Sequence, residues 1–468
     1  MLHLRLRPLR CLWAAYLLLA FPVVVLLVFA TPPFQVADEA NHFLRAVQVE
    51  TGHLIATRRG KQAAGGEIDG QAIDVSRAFD DLKFHPDHKL ETSLLTQEDG
   101  PSWGEQPKIF ADFANTAIYP PFFYAPAAIG IKLGKRFGLS ILGTLYLARL
   151  VNALCATALA GAALALCGKG RATLGVILSF PMVLSLFGSV SPDALSIASG
   201  AFVIALWSKY LDRDEDIPVW PRCIAAGLLG AIIAARIPLM PLYGLVLLPT
   251  SRRRRLFSRT WLSRRDMLSI VIGLGPIAFG LLGAHVAKIP FRPDDGVAPM
   301  VQLTGLLHDP IRIVTVMIAT LHDLGIGYLR QMIGVLGWLD TDFPPRFYEW
   351  MGLCITVAVA IECFGPERGL RGWSAVLLVC GLAAAVLGVF FALYLAWTPV
   401  GVAAIDGVQG RYFLVPAMVL VVVLPTFGRA TKDPGGGPID AGRLAICVTV
   451  GLVNLWIVPI TILNRYYG

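Results

Sequence analysis

Charged side chains are scarce in this sequence. Asp, Glu, Lys and Arg make up only 15% of its 468 residues, whereas hydrophobic residues make up 56%. Soluble chains carry about 25% charged residues and about 45–50% apolar residues. The composition therefore excludes an ordinary soluble globular protein.

Cysteine is missing from the polar parts of the chain. The eight cysteines lie within apolar runs or at their edges, and the two long polar segments, roughly 31–140 and 290–348, contain none. No cysteine pair has metal-ligand spacing, and the histidines form no HExxH or similar pair. A disulfide framework, a thiol nucleophile and a structural metal site are therefore unsupported. A carboxylate-bound divalent cation stays open as an alternative.

What the sequence does have is a series of apolar runs. Their lengths, about 15–27 residues, suit a hydrocarbon core about 30 Å thick, and they lack the two-residue alternation of a transmembrane barrel. We therefore predict an all-α polytopic membrane protein with about 11 transmembrane helices. The predicted spans lie near 11–30, 141–167, 172–190, 192–210, 222–235, 237–249, 267–288, 349–363, 374–397, 411–427 and 443–463. The chain shows no convincing internal repeat of the kind found in many secondary transporters.

Basic residues predict the orientation of these spans. The short loops that the threading puts inside carry them, for example Lys169, residues 252–255 and Arg429, in agreement with the positive-inside rule. The net charge of +8 therefore reports orientation and not nucleic-acid binding. No small-residue cleavage site follows Ala30, so the first run is predicted to be a signal anchor with a cytoplasmic N-terminus in a bacterial inner membrane.

The threading divides the chain into five parts. They are an N-terminal anchor (1–30), a first periplasmic loop with interfacial helices (31–140), a group of spans (141–289), a second periplasmic loop with an amphipathic helix (290–348) and the C-terminal spans (349–468). Residues 120–137 are predicted to form an interfacial helix, because an additional span there would invert every later loop. Loops this long usually carry a function.

A charged cluster follows the first span. Asp38, His42 and Arg45 would lie on one face of a helix at positions i, i+4 and i+7, with Glu39 beside them. One interpretation is a general base at the membrane surface. The alternative is an ordinary helix start, in which acidic residues in the first turn favour the helix dipole.

Two further motifs end or begin predicted spans. Tyr119 precedes a Pro-Pro pair that fixes a rigid turn, and its ring suits either a membrane anchor or a binding site. Asp193 follows Ser191-Pro192, where it is either a plain N-terminal helix residue or a group that faces substrate.

Three arginines lie near the predicted outer surface. An arginine near a helix centre costs about 2.5–3.5 kcal/mol to insert, so Arg236 and Arg411 are expected to face a cavity or a partner, and Tyr412 follows Arg411. The planar guanidinium suits phosphate. For Arg330, in the amphipathic stretch 310–332, snorkelling to lipid head groups is the favoured reading.

The second outer loop contains a glycine-rich stretch around Trp338 and Asp340. Its glycines permit close approach, and the indole offers an apolar plate for a sugar or a prenyl chain. Anchoring at the interface is an equally good explanation.

Taken in order, these motifs resemble a known family. Asp38-Glu39 with His42-Phe43 and Arg45, Tyr119-Pro120-Pro121, Ser191-Pro192-Asp193, residues 334–340 and Gln409-Gly410-Arg411-Tyr412-Phe413 resemble the bacterial membrane family called domain of unknown function 2142, over nearly the whole chain. That family is similar in layout to the GT-C superfamily of glycosyltransferases. Its members carry an acidic motif in the first outer loop and take sugars from polyprenyl phosphates. Tyr119 stands where the superfamily frequently has histidine.

The resemblance implies an inverting glycosyltransferase that acts on the periplasmic side. Asp38 would be the base, Glu39 would orient the acceptor or a cation, and Arg411, with Arg45 or Arg236, would bind the phosphate. The residues expected to bind substrate are His42, Arg45, Tyr119, Asp193, Arg236, Arg330, Trp338, Asp340, Arg411 and Tyr412. The expected partners are a polyprenyl-phosphate-linked sugar, a glycan or lipid acceptor and the bilayer, with no nucleic acid.

Two other functions remain open at this point. A flippase for a lipid-linked sugar also needs a membrane groove and phosphate-binding arginines, although it would be expected to keep polar groups near mid-membrane. A polysaccharide polymerase or ligase would share the outer location but use a pyrophosphate-linked glycan.

Overall fold

The computed structural model describes residues 11–210, 216–248, 262–289, 296–363, 373–426 and 437–468. The helices are α1 Cys11–Ala30, α2 Glu39–Glu50, α3 Gly70–Arg77, α4 Thr92–Glu98, α5 Ala114–Ala117, α6 Ala125–Arg136, α7 Ile141–Leu166, α8 Arg171–Leu178, α9 Pro181–Phe187, α10 Pro192–Tyr210, α11 Val219–Ala235, α12 Gly244–Leu247, α13 Arg264–Ala287, α14 Pro299–His308, α15 Ile311–Gly334, α16 Pro345–Cys363, α17 Trp373–Ala396, α18 Leu414–Val423 and α19 Gly437–Tyr466. The strands are β1 Thr57–Arg59, β2 Ala63–Asp69, β3 Lys108–Asp112, β4 Val335–Leu336 and β5 Thr341–Asp342. The predicted basic loop 252–255 and Arg429 lie outside the described residues.

The protein is a helical membrane protein, but the predicted number of spans is not confirmed. Among the described residues, six helices are long and apolar enough to cross a bilayer: α1, α7, α13, α15, α17 and α19. The pair α9 and α10 would form a seventh span, although the two helices meet at a bend of 118°. The predicted spans near 222–235, 237–249 and 411–427 correspond to shorter apolar helices.

Proline accounts for much of this fragmentation. The predicted span 172–190 is divided into α8 and α9 at Pro181, since proline lacks the N–H that continues a helix. Pro238 lies in the 3-10 segment Ile237–Tyr243 that follows α11. Composition alone detects the apolar run but not the break within it.

Helix α6 lies within the segment 120–137, whose place at the membrane surface stays a prediction. It has 12 residues and is therefore about 18 Å long at 1.5 Å per residue, too short to cross the hydrocarbon core. It packs against α2 and α7. Lys135 and Arg136 occupy its last turn.

Helix α15 extends over the stretch predicted to lie along the membrane surface. It meets the length and hydropathy criteria for a span, with a mean hydropathy of 1.3 that is the lowest of the six. Helix α15 packs along the connection between α17 and α18. Thr320 Oγ1 accepts the Ile405 N–H at 2.9 Å, and Gln331 Oε1 accepts the Gly410 N–H at 2.9 Å. The surface placement of α15 stays a prediction.

The first outer loop contains a small sheet that the sequence did not reveal. Strands β1, β2 and β3 form an antiparallel sheet in that order, with Gly65 opposite Asp112. Helix α2 lies against this sheet, where Gln48 Nε2 donates to the Gly65 carbonyl at 2.9 Å. A Cβ atom at Gly65 would lie 1.8 Å from the Ala111 carbonyl oxygen, so the strands approach each other only because this residue is glycine. The sheet thereby supports α2, whose N-terminus follows Asp38.

Helices α11 and α13 pack closely through small residues. An ideal Cβ at Gly230 would lie 2.0 Å from the Gly273 carbonyl oxygen. Small residues commonly allow such approach between helices in membranes. Arg222 and Asp266 join the same two helices by an ion pair of 2.9 Å.

Gly230→Ala is therefore expected to lower the free energy of unfolding by about 1–3 kcal/mol, because backbone atoms must move apart to admit the methyl group. The measurement is thermal unfolding of the purified protein in detergent. Gly227→Ala is the matched control on the same helix, since its Cβ would meet only Ile272 at 3.7 Å. Equal unfolding temperatures for Gly230→Ala and the wild type would contradict this account of the packing.

Candidate functional site

Asp38 lies immediately before α2, in a left-handed backbone conformation with φ 64°. Its Oδ2 accepts a hydrogen bond of 2.6 Å from Arg411 Nη2, and its Oδ1 accepts one of 3.2 Å from Asn115 Nδ2. The side chain is 29% exposed, whereas that of Arg411 is 5% exposed. The carboxylate is thus fixed by a buried arginine but remains accessible.

A second ion pair lies beside the first. Asp193 Oδ1 accepts from Arg236 Nη2 at 2.5 Å, and Asp193 Oδ2 lies 3.8 Å from Arg411 Nε. We call Asp38, Asp193, Arg236 and Arg411 the four-charge cluster. It unites the end of the α1–α2 connection, the start of α10, the end of α11 and the segment before α18. Its two positive and two negative charges balance.

Tyr412 completes this cluster on one side. Its ring lies 4.3 Å from the Arg236 guanidinium, in cation–π geometry. The Arg411 guanidinium is 5.8 Å from the same ring. Within the described residues Arg411 Nε makes no hydrogen bond, but it is buried and faces Asp193 Oδ2 at 3.8 Å.

His42 and two tyrosines lie next to the cluster. His42 Nδ1 and the Tyr124 hydroxyl are 2.7 Å apart, and the Tyr119 ring meets the His42 ring edge-on at 5.9 Å. Burial lowers the pKa of His42 to about 4, although the charges of Asp38 and Asp193 act in the opposite direction. Burial would raise the pKa of Asp38, but the charges of Arg411 and His42 outweigh it and leave that pKa below its ordinary value. At neutral pH the carboxyl of Asp38 is ionised and His42 is neutral.

The depressed pKa of His42 predicts a loss of stability in acid. The folded protein resists protonation of His42 between pH 6.5 and about 4, whereas the unfolded chain takes up the proton near pH 6.5. The free energy of unfolding should therefore fall by about 3 kcal/mol as the pH drops through this window. Thermal unfolding between pH 7 and pH 4 measures it, with His42→Asn as the comparison. If the two proteins lose the same stability, His42 does not titrate as described.

A polar cavity of about 220 Å³ lies close to Asp38. Its wall consists of Asn41, Ser76, Arg77, Asp80, Lys83, Asp112 and Trp338, together with Ala40 and Leu44. Asn41 Nδ2 donates to Asn115 Oδ1 at 2.8 Å, and Asn115 donates in turn to Asp38. This chain of amides links the cavity wall to the carboxylate.

Trp338 brings the second outer loop to this cavity. Its indole Nε1 donates to the Phe34 carbonyl at 3.1 Å, and the Gly337 carbonyl accepts the Ala37 N–H at 3.2 Å. Lys83 Nζ lies 4.5 Å from the indole ring. The segments 34–38 and 337–340 therefore form one structural unit.

Backbone strain is concentrated in the same place. Among the described residues, Phe34, Asp38, Phe84 and Leu339 are the non-glycine residues with positive φ, at 62°, 64°, 59° and 64°. The centroids of the Phe84 and Trp338 rings are 5.7 Å apart, and Leu339 follows Trp338 in the sequence. Such conformations are costly and gather at functional sites. All four belong to the segments that surround Asp38 and Trp338.

Glu39 does not join the four-charge cluster, so its predicted role needs correction. Its side chain is fully buried and pairs with the equally buried Arg149 at 2.5 Å. The Val190 N–H also donates to Glu39 Oε1 at 2.9 Å. Arg149 further donates to the carbonyls of Val28, Thr31 and Pro32. Because Asp38 precedes α2 and Glu39 begins it, the two adjacent carboxylates point to different places, and Glu39 holds the end of α1 against α7.

Three other predicted binding residues also lie apart from the cluster. Arg45 is buried and donates to Gln48 and to the carbonyls of His53, Leu54 and Tyr119. Arg330 is exposed, 5.5 Å from the Tyr348 ring. Asp340 accepts from Arg465 Nη2 at 3.0 Å. The predicted phosphate role of Arg45 is not supported, since Gln48 and these three carbonyls already engage its terminal nitrogens.

The structure gives roles to residues for which the sequence predicted none. Asn41 and Asn115 connect Asp38 with the cavity, and Tyr124 holds His42. Arg149 lies within an apolar run, so the cost of burying it was a signal of the same kind as that used for Arg236. Nothing in the local sequence marks Asn115.

Comparison with known proteins gives one family. The model of the family described as "Predicted membrane protein (DUF2142)" matches residues 21–421. Neither the curated proteins nor the solved structures give a match. The match spans the four-charge cluster and Trp338.

Proposed function

This chain belongs to the family of predicted membrane proteins called DUF2142. We propose that the chain is an inverting glycosyltransferase that moves a sugar from a polyprenyl-phosphate donor to a glycan or lipid acceptor. The predicted orientation puts the reaction on the periplasmic side of a bacterial inner membrane. The observation that carries the proposal is the four-charge cluster.

The cluster supplies the two groups that such a transfer needs. A base must take the proton from the acceptor hydroxyl, and positive charge must stabilise the departing phosphate. Asp38 is accessible and ionised and pairs with Arg411, while Arg236 pairs with Asp193, which also faces Arg411. The planar guanidinium of Arg411 is the kind of group that binds phosphate with two hydrogen bonds.

The charge balance of the cluster gives an order of events. A donor phosphate brings negative charge and competes with Asp38 for Arg411. As Arg411 turns to the phosphate, Asp38 loses the partner that lowers its pKa and becomes a better base. Donor binding thereby prepares the base for the acceptor.

The transfer step is then a direct displacement. Asp38 takes the acceptor proton, the acceptor oxygen forms a bond to the anomeric carbon, and the bond from that carbon to the phosphate oxygen breaks. The electron pair leaves with the phosphate, which Arg411 and Arg236 stabilise. A single displacement inverts the configuration at the anomeric carbon.

The surroundings of the cluster offer places for both substrates. The polar cavity next to Asn41 presents amide, hydroxyl and charged groups and one indole face, which suits a hydroxylated acceptor. An open apolar surface on one face of α1 is formed by Phe21, Pro22, Val25, Leu26, Phe29 and Ala30. It ends eight residues before Asp38, and we propose that a prenyl tail lies along this surface with its phosphate toward the cluster.

Arg411→Lys is expected to weaken the binding of undecaprenyl phosphate at least about tenfold, because lysine cannot reproduce the planar fork that grips phosphate. Native mass spectrometry of the purified protein with the lipid measures the effect. Arg330→Lys, at an exposed arginine outside the cluster, is the matched control and should bind like the wild type. Equal weakening in both variants, or in neither, would exclude the phosphate role of Arg411.

A further inference from the structure

A cluster of different chemistry lies in the first outer loop, beyond the four-charge cluster. Asp81, His85 and His88 each offer one ligand atom, and these atoms lie within 4.8 Å of one another. The separation of His88 Nδ1 from Asp81 Oδ2 is 2.8 Å. The two imidazole rings are stacked, with centroids 4.8 Å apart.

The directions of the nitrogens are more informative than their proximity. His85 Nδ1 and His88 Nδ1 both approach the Asp81 carbonyl oxygen, at 3.1 Å and 3.2 Å. Two nitrogens, a carboxylate oxygen and a backbone carbonyl oxygen therefore converge on one small volume. In these contacts each Nδ1 carries the proton and donates it to the carbonyl oxygen. Each Nδ1 can donate an electron pair to a cation once its ring takes the neutral tautomer that is protonated at Nε2.

His88 also has an outer partner of the kind found at metal sites. Its Nε2 lies 3.7 Å from Asp87 Oδ2, on the side of the ring opposite Nδ1. Metal-binding histidines usually direct their second nitrogen to a carboxylate or carbonyl, which fixes the tautomer and the ring orientation. Asp87 is placed to do so.

The backbone that carries these ligands is anchored. Arg465 donates to the Leu82 carbonyl at 2.7 Å and to the His88 carbonyl at 3.3 Å. Lys89 Nζ donates to the Asn464 carbonyl at 2.7 Å. The ligand segment is thus held on the end of α19 at these points, and a bound ion would order the stretch between them.

From this convergence we propose that Asp81, His85 and His88 bind one divalent cation of the zinc type. Two imidazole nitrogens and one carboxylate oxygen form a donor set that suits Zn²⁺, with a further position left for water. The same segment contributes Asp80 and Lys83 to the wall of the polar cavity. The ion therefore stabilises one wall of that cavity, and this inference does not depend on the proposed transfer reaction.

The test uses the full chain, purified with a histidine-free tag and stripped with a chelator. Zn²⁺ titration by calorimetry should give one saturable equivalent, and Co²⁺ should give the absorption bands of a nitrogen- and oxygen-ligated ion. His85→Asn and His88→Asn should each weaken Zn²⁺ binding at least about tenfold. Loss of a residue that only supports a metal ligand already costs about tenfold, so loss of a ligand should cost at least as much. His308→Asn is the matched control, at an exposed histidine that bonds only to the Thr304 carbonyl.

A second readout reports on the segment itself. Zn²⁺ should slow hydrogen exchange in residues 79–90 of the wild type and leave it unchanged in His85→Asn and His88→Asn. The ligand side chains are largely exposed, so both variants are expected to fold. Absence of saturable Zn²⁺ binding by the wild type, or wild-type affinity in both histidine variants, would overturn the proposal.

Discussion

Asp38→Asn is expected to reduce sugar transfer by about 10²–10⁴-fold, the usual contribution of a positioned base, without loss of the fold. Asparagine keeps an oxygen that accepts from Arg411 but cannot take the proton of the acceptor hydroxyl. It also tolerates the left-handed conformation at φ 64°, which alanine would not adopt as readily. Transfer of labelled sugar in proteoliposomes, together with thermal unfolding, gives the two quantities.

Asp74→Asn is the matched control for this experiment, since Asp74 is an exposed aspartate on α3 in the same loop and has no part in the cluster or the cavity wall. It should transfer sugar at the wild-type rate. A flippase would move lipid-linked sugar across the bilayer without forming a new glycosidic bond, so the assay also separates these functions. Substantial transfer by Asp38→Asn would remove Asp38 as the base.

Glu39→Gln, one residue further along the chain, is expected to destabilise the fold, whereas Asp38→Asn is expected to leave the fold intact. It leaves the guanidinium of Arg149 buried without a countercharge, and breaking a buried pair in this way costs about 3–5 kcal/mol. We expect a low yield of folded protein and a lowered unfolding temperature. These are measured after extraction in detergent.

The double variant Glu39→Gln with Arg149→Met separates structure from chemistry. It removes both charges, and replacing a buried ion pair by apolar groups is often close to neutral in stability. The double variant should therefore recover much of the stability that Glu39→Gln loses. If Glu39→Gln is as stable as the wild type but inactive in transfer, Glu39 takes part in the reaction and the structural role assigned to it is wrong.

Most of the four-charge cluster could be predicted from the sequence. Asp38, Arg236 and Arg411 are predicted site residues because a charge beside an apolar run is costly unless it has a partner, whereas Asp193 is predicted from its place after Ser191-Pro192. In the structure each of these four charged side chains forms an ion pair with another of the four. The same rule applied to Arg149 would have indicated another buried pair.

Other parts of the site depend on distant packing. Nothing local shows which of two adjacent acids is exposed, because the answer depends on where α2 begins and on the position of Arg149 in α7. The sheet in the first outer loop was missed because β2, with the sequence Ala-Ala-Gly-Gly-Glu-Ile-Asp, has few of the β-branched residues that mark strands. Gly65 is instead selected by the close approach of β3.

The helical membrane class followed from apolar run length, whereas the number of spans did not. Hydropathy averages over a window and does not register a break at Pro181 or Pro238. The segment Ile311–Gly334 shows the opposite difficulty, since its composition suits both a span and a surface helix. Topology in such regions depends on neighbouring elements.

The most direct test of the central claim is an electron cryo-microscopy structure of the protein in nanodiscs with undecaprenyl phosphate. We expect the lipid phosphate between Arg411 and Arg236, within hydrogen-bond distance of both, with Asp38 released from Arg411 and the prenyl chain beside α1. A phosphate bound elsewhere, with the Asp38–Arg411 pair intact at saturating lipid, would contradict the claim that these four charges form the donor site.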